Sequence, residues 1–113
     1  MRDFHPRKIK FKAWNKEARL LMRLNSIECN KGELLKKDHI LLQFTGLYDK
    51  EGNEIYDHDV LLIYSDKYLV IWNEEKNGWY YTPVNSEDTQ PFLAPVAEKM
   101  KRFCSVFELG ENP

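Results

Sequence analysis

Three consecutive residues, Asp57, His58 and Asp59, have side chains that bind metal ions or exchange protons. If this segment is extended, successive side chains point to opposite faces, so at most the two aspartates converge. Zinc takes about four ligands and calcium about six to eight, which is more than this segment offers. We therefore predict no metal site and no cofactor, and we expect both aspartates to make turn and cap interactions.

The other candidates for catalysis are paired carboxylates. Glu54 with Asp57, and Glu74 with Glu75, would supply the two acids that a glycosidase uses, but no sequence feature places one of them in an apolar pocket. The serines lie outside any GxSxG motif, and the glycines form neither a GxGxxG sequence nor a P-loop. We predict no catalytic residue and a protein that is not an enzyme.

Aromatic residues are concentrated around two predicted turns within residues 64–82. Neighbouring residues of a strand face opposite sides of the sheet, so these rings cannot all be buried. An exposed aromatic patch is typical of protein interfaces, and we predict contact with a protein partner or a second copy of the chain. Aromatic pairing across a small sheet is the alternative explanation. The predicted binding surface consists of Lys8, Lys10, Lys12, Tyr64, Tyr68, Trp79, Tyr80 and Tyr81.

The three lysines of that surface alternate with apolar residues, which predicts a half-buried strand with a basic outer face. A basic stripe beside stacked rings is typical of proteins that bind single-stranded nucleic acid, and this is the alternative function. The charge distribution opposes it, because residues 38–113 carry six basic and fourteen acidic residues, against eleven and four in residues 1–37. The lysines would otherwise protect an exposed sheet edge.

Length and composition indicate a single folded domain over residues 1–113. A chain of 113 residues with 42% hydrophobic residues can form a core, and its net charge of −1 gives no overall signal for nucleic acid or membranes. No stretch approaches the ~18 apolar residues of a membrane span, and the first residues lack an apolar signal region. The two cysteines are far apart, and we expect free thiols in a cytoplasmic protein.

The hydrophobic pattern predicts a mainly β chain, either a small, partly open barrel or a strongly bent antiparallel sheet of about six or seven strands. One short helix is predicted at residues 91–102, where apolar residues recur at helical spacing. Residues 16–24 contain good helix formers, so a helix competes with a strand there. Strands are predicted at residues 7–14, 18–24, 39–45, 60–64, 68–72, 79–82 and 103–109, with a brief extended piece at 54–56 and a loop at 25–37.

Turn residues mark where the sheet should bend. Asn77-Gly78 is the strongest hairpin signal, and Gly52 is expected to supply a positive φ in a corner over residues 49–53. A second turn is predicted at residues 65–67. The predicted core consists of Ile9, Phe11, Leu41, Phe44, Ile55, Val60, Leu62, Leu69, Ile71, Trp72 and Val96.

Three blocks of the sequence resemble the YopX family, a group of small proteins of phages and prophages. The family opens with a basic alternating strand that ends in a tryptophan, as residues 8–16 (KIKFKAWNK) do. Its central block is similar to residues 43–56 (QFTGLYDKEGNEIY), and its C-terminus is similar to Glu111-Asn112-Pro113. The blocks occur in the right order across nearly the whole chain, which makes the resemblance specific.

The resemblance implies a mainly β fold, a phage or prophage setting and a cytoplasmic location, but it implies no molecular activity. The sequence departs from the family pattern at two places. His58 stands where the family prefers glycine, so we expect a less strained corner here. Residues 105–110 also differ, which leaves the end of the last strand undefined.

Overall fold

The computed structural model describes residues 9–24, 29–30, 33–34 and 38–109. These residues form short strands, one short α-helix and one 3-10 helix. In chain order the elements are β1 (Phe11–Asn15), β2 (Leu20–Arg23), β3 (Cys29–Asn30), β4 (Glu33–Leu34), β5 (His39–Tyr48), β6 (Glu54–Tyr56), β7 (Asp59–Ile63), β8 (Asp66–Asn73), β9 (Gly78–Pro83), β10 (Gln90–Pro91), α1 (Ala94–Ala97), β11 (Lys101–Ser105) and the 3-10 helix (Val106–Leu109).

The strands form two main antiparallel sheets. The four-stranded sheet has the order β2-β1-β5-β6, the five-stranded sheet has the order β10-β9-β8-β7-β11, and β3 pairs with β4 separately. The predicted mainly β fold with bent sheets and one short helix is confirmed. The described residues form eleven strands, more than the predicted six or seven, because short pieces such as β3, β4, β6 and β10 also take part in pairing.

The first hairpin shows that residues 20–23 form a strand. β2 pairs with β1 along four positions, from Lys12 opposite Arg23 to Asn15 opposite Leu20. The Asn15 side-chain carbonyl accepts hydrogen bonds from the N–H groups of Glu17 and Ala18, both at 3.0 Å, and this closes the turn. The helix alternative for residues 16–24 is therefore wrong, since the asparagine turn and cross-strand pairing prevail over helix propensity.

The hairpin between β8 and β9 follows the sequence prediction. Asn77 adopts a φ of 53°, and Trp72 lies opposite Trp79 in the register. The turn before β8 differs by one residue from the predicted turn at 65–67. It is formed around Tyr64, which has a φ of 55°, and β8 already begins at Asp66.

The C-terminal part departs further from the prediction. The predicted helix of residues 91–102 contains only α1, because Pro91 pairs in β10 and the Met100 carbonyl accepts the Lys50 N–H at 2.9 Å. The predicted strand of residues 103–109 is likewise wrong in its second half, since β11 ends at Ser105 and a 3-10 helix follows. The apolar spacing identified Phe92, Ala97 and Met100, which reach the core, but it failed at Leu93, which is 60% exposed.

The main core lies on one face of the five-stranded sheet. Among the predicted core residues, Phe44, Ile55 and Val60 are fully buried. Ile9 and Trp72 were predicted wrongly, with 67% and 39% of their surface exposed, because Ile9 precedes β1 and Trp72 lies near the end of β8. The other predicted core residues, Phe11, Leu41, Leu62, Leu69, Ile71 and Val96, are half-buried. The core cluster consists of Ile55, Leu61, Val70, Phe92, Ala97 and Met100.

Two sharp corners connect β5, β6 and β7. Gly52 has a φ of 82° in the first corner, as its sequence position predicted. In the second corner His58 has a φ of 65°, in the left-handed region that favours glycine. Its N–H donates to the Val70 carbonyl and its carbonyl accepts the Val106 N–H, both at 2.8 Å. The expectation of a less strained corner is therefore wrong, because these bonds fix the backbone whatever side chain is present.

Replacing His58 with glycine should raise the free energy of unfolding by about 0.5–1 kcal/mol, because glycine adopts a positive φ without a Cβ clash. His58→Ala is the matched control, since it also removes the imidazole but keeps the Cβ. Urea denaturation of both variants measures the difference. Equal stability of the glycine and alanine variants would show that the corner is unstrained.

Candidate functional site

A buried ion pair joins the second corner to β11. Asp59 is 1% exposed, and its Oδ2 accepts hydrogen bonds from Arg102 Nε at 2.9 Å and from the Tyr56 N–H at 2.8 Å. Burial raises the pKa of the Asp59 carboxyl, and the Arg102 guanidinium only partly offsets this. Burial opposes the charge of Arg102, but the Asp59 carboxylate outweighs it and raises the guanidinium pKa.

A second aspartate joins the first corner to the same arginine. Asp49 Oδ1 accepts the N–H groups of Glu51 and Asn53, and its Oδ2 accepts the Arg102 N–H at 2.7 Å and the Asn53 side-chain amide at 3.1 Å. Burial opposes the charge of Asp49, but these hydrogen bonds outweigh it and lower its pKa. Arg102 thus holds both corners, one through its backbone and one through its side chain.

The Asp57-His58-Asp59 segment makes mainly structural contacts. Asp59 caps the corner by accepting the Tyr56 N–H, as expected of a turn residue. Asp57 Oδ1 and His58 Nδ1 lie 2.9 Å apart without hydrogen-bond geometry, and the imidazole packs 5.5 Å from the Phe107 ring centroid. Within the described ranges, no three His, Cys, Asp or Glu side chains are grouped so that they could hold a metal ion.

A small polar cavity, which we call the cationic pocket, lies beside the ion pair. It has a volume of about 180 Å³ and is lined by Lys12, Arg23, Asn53, Glu54, Tyr56 and Arg102. Lys12 is 8% exposed, and its Nζ lies 4.3 Å from the Tyr56 ring centroid. Burial lowers the pKa of Lys12, and the charge of Arg102 lowers it further. Burial also raises the pKa of Tyr56, to about 12, together with the Glu54 carboxylate that accepts its O–H at 3.2 Å.

The predicted basic stripe is not a free surface in this structure. Lys12 is buried, while Lys10 is exposed and forms an ion pair with Glu54. Lys8 lies outside the described residues. The alternation of residues 7–14 predicted an outward-facing lysine at position 12, but Lys12, Ala13 and Trp14 are all buried because β1 is covered on both faces.

The predicted aromatic residues do not form one platform. Tyr68, Trp79 and Tyr81 pack against the core cluster, whereas Tyr80 alternates to the opposite face of β9. Tyr64 is 97% exposed in the turn before β8. Edge-to-face pairs account for most of the rings, including Trp72 with Trp79 at a centroid distance of 5.1 Å and Tyr68 with Tyr81 at 5.7 Å. Cross-strand packing, the alternative explanation, therefore describes these pairs well.

An apolar groove lies next to the tryptophan pair. This Trp79 groove has a volume of about 330 Å³, and Leu93, which is 60% exposed, projects from its wall. The Trp79 Nε1–H is buried and has no acceptor among the described residues. The other residues that line it are Thr45, Leu47, Lys76, Gly78, Tyr80, Pro91, Phe92 and Ala94.

Sequence reasoning missed Arg23, Tyr56, Leu93 and Arg102 as site residues. One sequence feature could have identified Arg102, because it is the single arginine in residues 38–113, which are otherwise rich in acidic residues. No sequence feature marked Leu93 as a surface residue, because its helical spacing with Phe92 and Val96 indicated burial. Arg23 and Tyr56 are brought together only by the order β2-β1-β5-β6, which no local pattern specifies.

Comparison with known families identifies the chain. The YopX protein family model matches residues 8–103. The chain belongs to the YopX family. The resemblance noted in its sequence is thereby confirmed, and the central block of this YopX protein is now seen to form β5, β6 and the corner that Asp49 holds.

The YopX chain is also similar to a solved structure, the crystal structure of protein EF1440 from Enterococcus faecalis. The sequence identity is 16% and the TM-score is 0.66, and the match covers 92% of this chain and 96% of that chain. At this identity the similarity shows a shared fold. Comparison with the curated proteins gave no match. In the described part of the YopX chain, no helix has the length and apolar character needed to cross a membrane.

The buried ion pair gives a direct prediction about stability. Arg102→Met should lower the free energy of unfolding by about 3–5 kcal/mol at pH 7, because it leaves the Asp59 carboxylate buried without its partner. The double variant Asp59→Asn/Arg102→Met should cost less than the sum of the two single changes by at least about 1 kcal/mol, because no buried charge remains. Urea denaturation of the four proteins gives the coupling energy, and additive costs would contradict the pairing.

Asp49 gives a prediction about pH. Its folded-state pKa lies below the ordinary value of 3.8, so its charge stabilises the fold above that pH, and this stabilisation is lost as the pH falls through the folded-state pKa. Asp49→Asn should cost about 1–3 kcal/mol at pH 7 and progressively less towards pH ~3. Denaturation over this pH range tests it, with the exposed Asp66→Asn as control. A cost that does not change with pH would exclude the charge as its source.

Proposed function

We propose that this YopX protein is a non-catalytic interaction module that self-associates through the Trp79 groove. The observation that carries the proposal is the exposed Leu93 side chain beside an apolar groove that contains an indole N–H for which the described residues supply no acceptor. Large apolar side chains beside a groove are typical of protein contact sites. A buried unpaired donor adds a reason for a partner, since a partner's carbonyl could accept its hydrogen bond.

The shape and charge of this surface favour a second copy of the chain as the occupant. A twofold interface requires one patch that complements itself. Here Leu93 projects next to a groove that can receive a leucine, and the adjacent β8–β9 turn carries both acidic and basic residues, Glu74, Glu75 and Lys76. A twofold arrangement would place each leucine in the opposite groove and bring unlike charges together at the rim.

The geometry gives less support to the single-stranded nucleic-acid alternative. Lys10 and Lys12 belong to the side of the molecule formed by the four-stranded sheet, where a carboxylate and a tyrosine ring engage them. The aromatic residues belong to the five-stranded sheet and largely pair with one another. A stacking platform needs free rings beside a basic groove, and this arrangement separates the two features.

The predicted cellular setting is part of the same proposal. A YopX protein would act in the cytoplasm of a cell that carries a phage or prophage, and Cys104, a free thiol in the structure, suits a reducing compartment. The non-enzymatic role is supported by the two most buried aspartates, Asp49 and Asp59, whose carboxylates are engaged in hydrogen bonds and in the ion pair with Arg102.

Self-association is testable by changing the projecting leucine. Wild-type protein should be a dimer in light scattering after size exclusion, and Leu93→Glu should be a monomer because it places a charge in the apolar groove. Val84→Glu is the matched control, since Val84 is also exposed and apolar but does not line the groove.

Circular dichroism of both variants confirms that they are folded. A monomeric wild type at about 100 μM, or a dimer that survives Leu93→Glu, would exclude this interface. A dimer that both substitutions leave intact would place the contact elsewhere on the molecule.

A further inference from the structure

The cationic pocket contains two positive charges without carboxylate partners among the described residues. No carboxylate there lies within 4 Å of Lys12 Nζ or of the Arg23 guanidinium. The carboxylates of Asp59 and Glu108 attract Lys12 from a greater distance. Charged side chains that are mostly buried are normally paired, so Lys12, at 8% exposure, requires an explanation.

The other charges of the lining are already balanced. Glu54 forms its ion pair with Lys10, and Arg102 forms ion pairs with Asp59 and, at 3.8 Å, with Glu108. Among the described residues, the cations of the lining without an ion pair of their own are therefore the buried Lys12 and the exposed Arg23. The Tyr56 ring partly stabilises the Lys12 ammonium through a cation–π contact, but it supplies no counter-charge.

We propose that the cationic pocket binds the phosphate group of a small ligand, with Lys12 and Arg23 as its direct ligands. A phosphate monoester carries a charge of about −1.5 to −2 at neutral pH, so one phosphate group can pair with both cations, whereas a single carboxylate balances only one of the two. Arginine and lysine are the usual phosphate ligands, one as a planar fork and the other as a compact point charge.

The position of the pocket favours a small ligand over a nucleic acid. A cavity of about 180 Å³ whose lining includes the Glu54 carboxylate admits one phosphate group but offers no continuous basic track for a strand. Both ligands belong to the first hairpin, where Lys12 lies opposite Arg23 in the register of β1 and β2. The hairpin thus places the two cationic residues on neighbouring strands at the same level before any ligand binds.

Binding of inorganic phosphate tests this site. The melting temperature of the wild-type protein should rise with phosphate in a saturable way, relative to sodium chloride at the same ionic strength. Lys12→Met and Arg23→Met should each weaken phosphate binding about 10-fold or more, as measured by the phosphate dependence of the melting temperature and by ³¹P line broadening. Lys16→Met, which removes an exposed turn lysine outside the pocket, should leave binding unchanged.

The Lys12 variant also separates loss of binding from loss of folding. Methionine keeps the unbranched shape and most of the length of the side chain and removes a buried charge, so Lys12→Met should melt at the same temperature as wild type or higher when phosphate is absent. A variant that binds phosphate weakly and melts at a markedly lower temperature would mean that Lys12 is structural, which would overturn the proposal.

Three further outcomes would also overturn it. The first is a wild-type melting temperature that responds equally to phosphate and chloride. The second is equal binding of acetate and phosphate, because the charge match would then have no role. The third is a short single-stranded oligonucleotide that binds more tightly than phosphate and depends on Lys12, because the site would then belong to a nucleic acid. The dimer test at Leu93 is independent of all of these, since Leu93 does not line the cationic pocket.

Discussion

The architecture depends on Arg102, where both corners of the central block meet β11. Its backbone N–H binds the carboxylate of Asp49, and its guanidinium binds the carboxylate of Asp59. One residue of the last strand therefore fixes the directions of β6 and β7. Backbone hydrogen bonds add to these contacts, since the Lys50 N–H donates to the Met100 carbonyl and the Val106 N–H donates to the His58 carbonyl. The central block of the YopX family has its shape because a strand from the far end of the chain completes it.

This arrangement introduces charge into the space between the sheets. Asp59 is buried because it joins β6 to Arg102, and the ordered polar groups around this pair include Tyr56 and Lys12. A buried ion pair seldom adds net stability compared with an apolar replacement, but it specifies one arrangement strongly, because a mismatched register leaves a charge unpaired. The same polar interior makes the cationic pocket possible, since burying the Lys12 ammonium among apolar side chains would cost too much free energy.

Much of the fold could be predicted from local patterns, and the errors have physical causes. Turn chemistry located the corner at Gly52 and the hairpin at Asn77 correctly, because a positive φ depends on a few neighbouring residues. The alternating pattern wrongly predicted that Lys12 faces solvent, because both faces of β1 are covered in the fold. The expectation that a histidine in place of glycine means a less strained corner failed at His58, because long-range backbone hydrogen bonds hold this residue at a positive φ.

The site was harder to predict than the fold. The candidate residues were chosen by residue type. The sequence shows where aromatic and basic residues occur along the chain, but it does not show in which of the two sheets each of them lies. The pockets are formed by residues that strand order brings together, such as Arg23 with Arg102, and no local signal in the sequence encodes that order. The sequence could therefore indicate the kinds of residues involved and not their partners.

The position of Arg102 late in the chain also has a consequence for synthesis. It lies 53 residues after Asp49 and 43 residues after Asp59. While the chain leaves the ribosome, the hairpin of β7 and β8 can form from nearby residues, but the edge of β7 that receives β11 remains unpaired. Contacts of such large sequence separation form late because closing the chain costs entropy. The nascent protein therefore has an open strand edge until β11 emerges, and until then the hydrated carboxylate of Asp59 on β7 disfavours pairing with other chains.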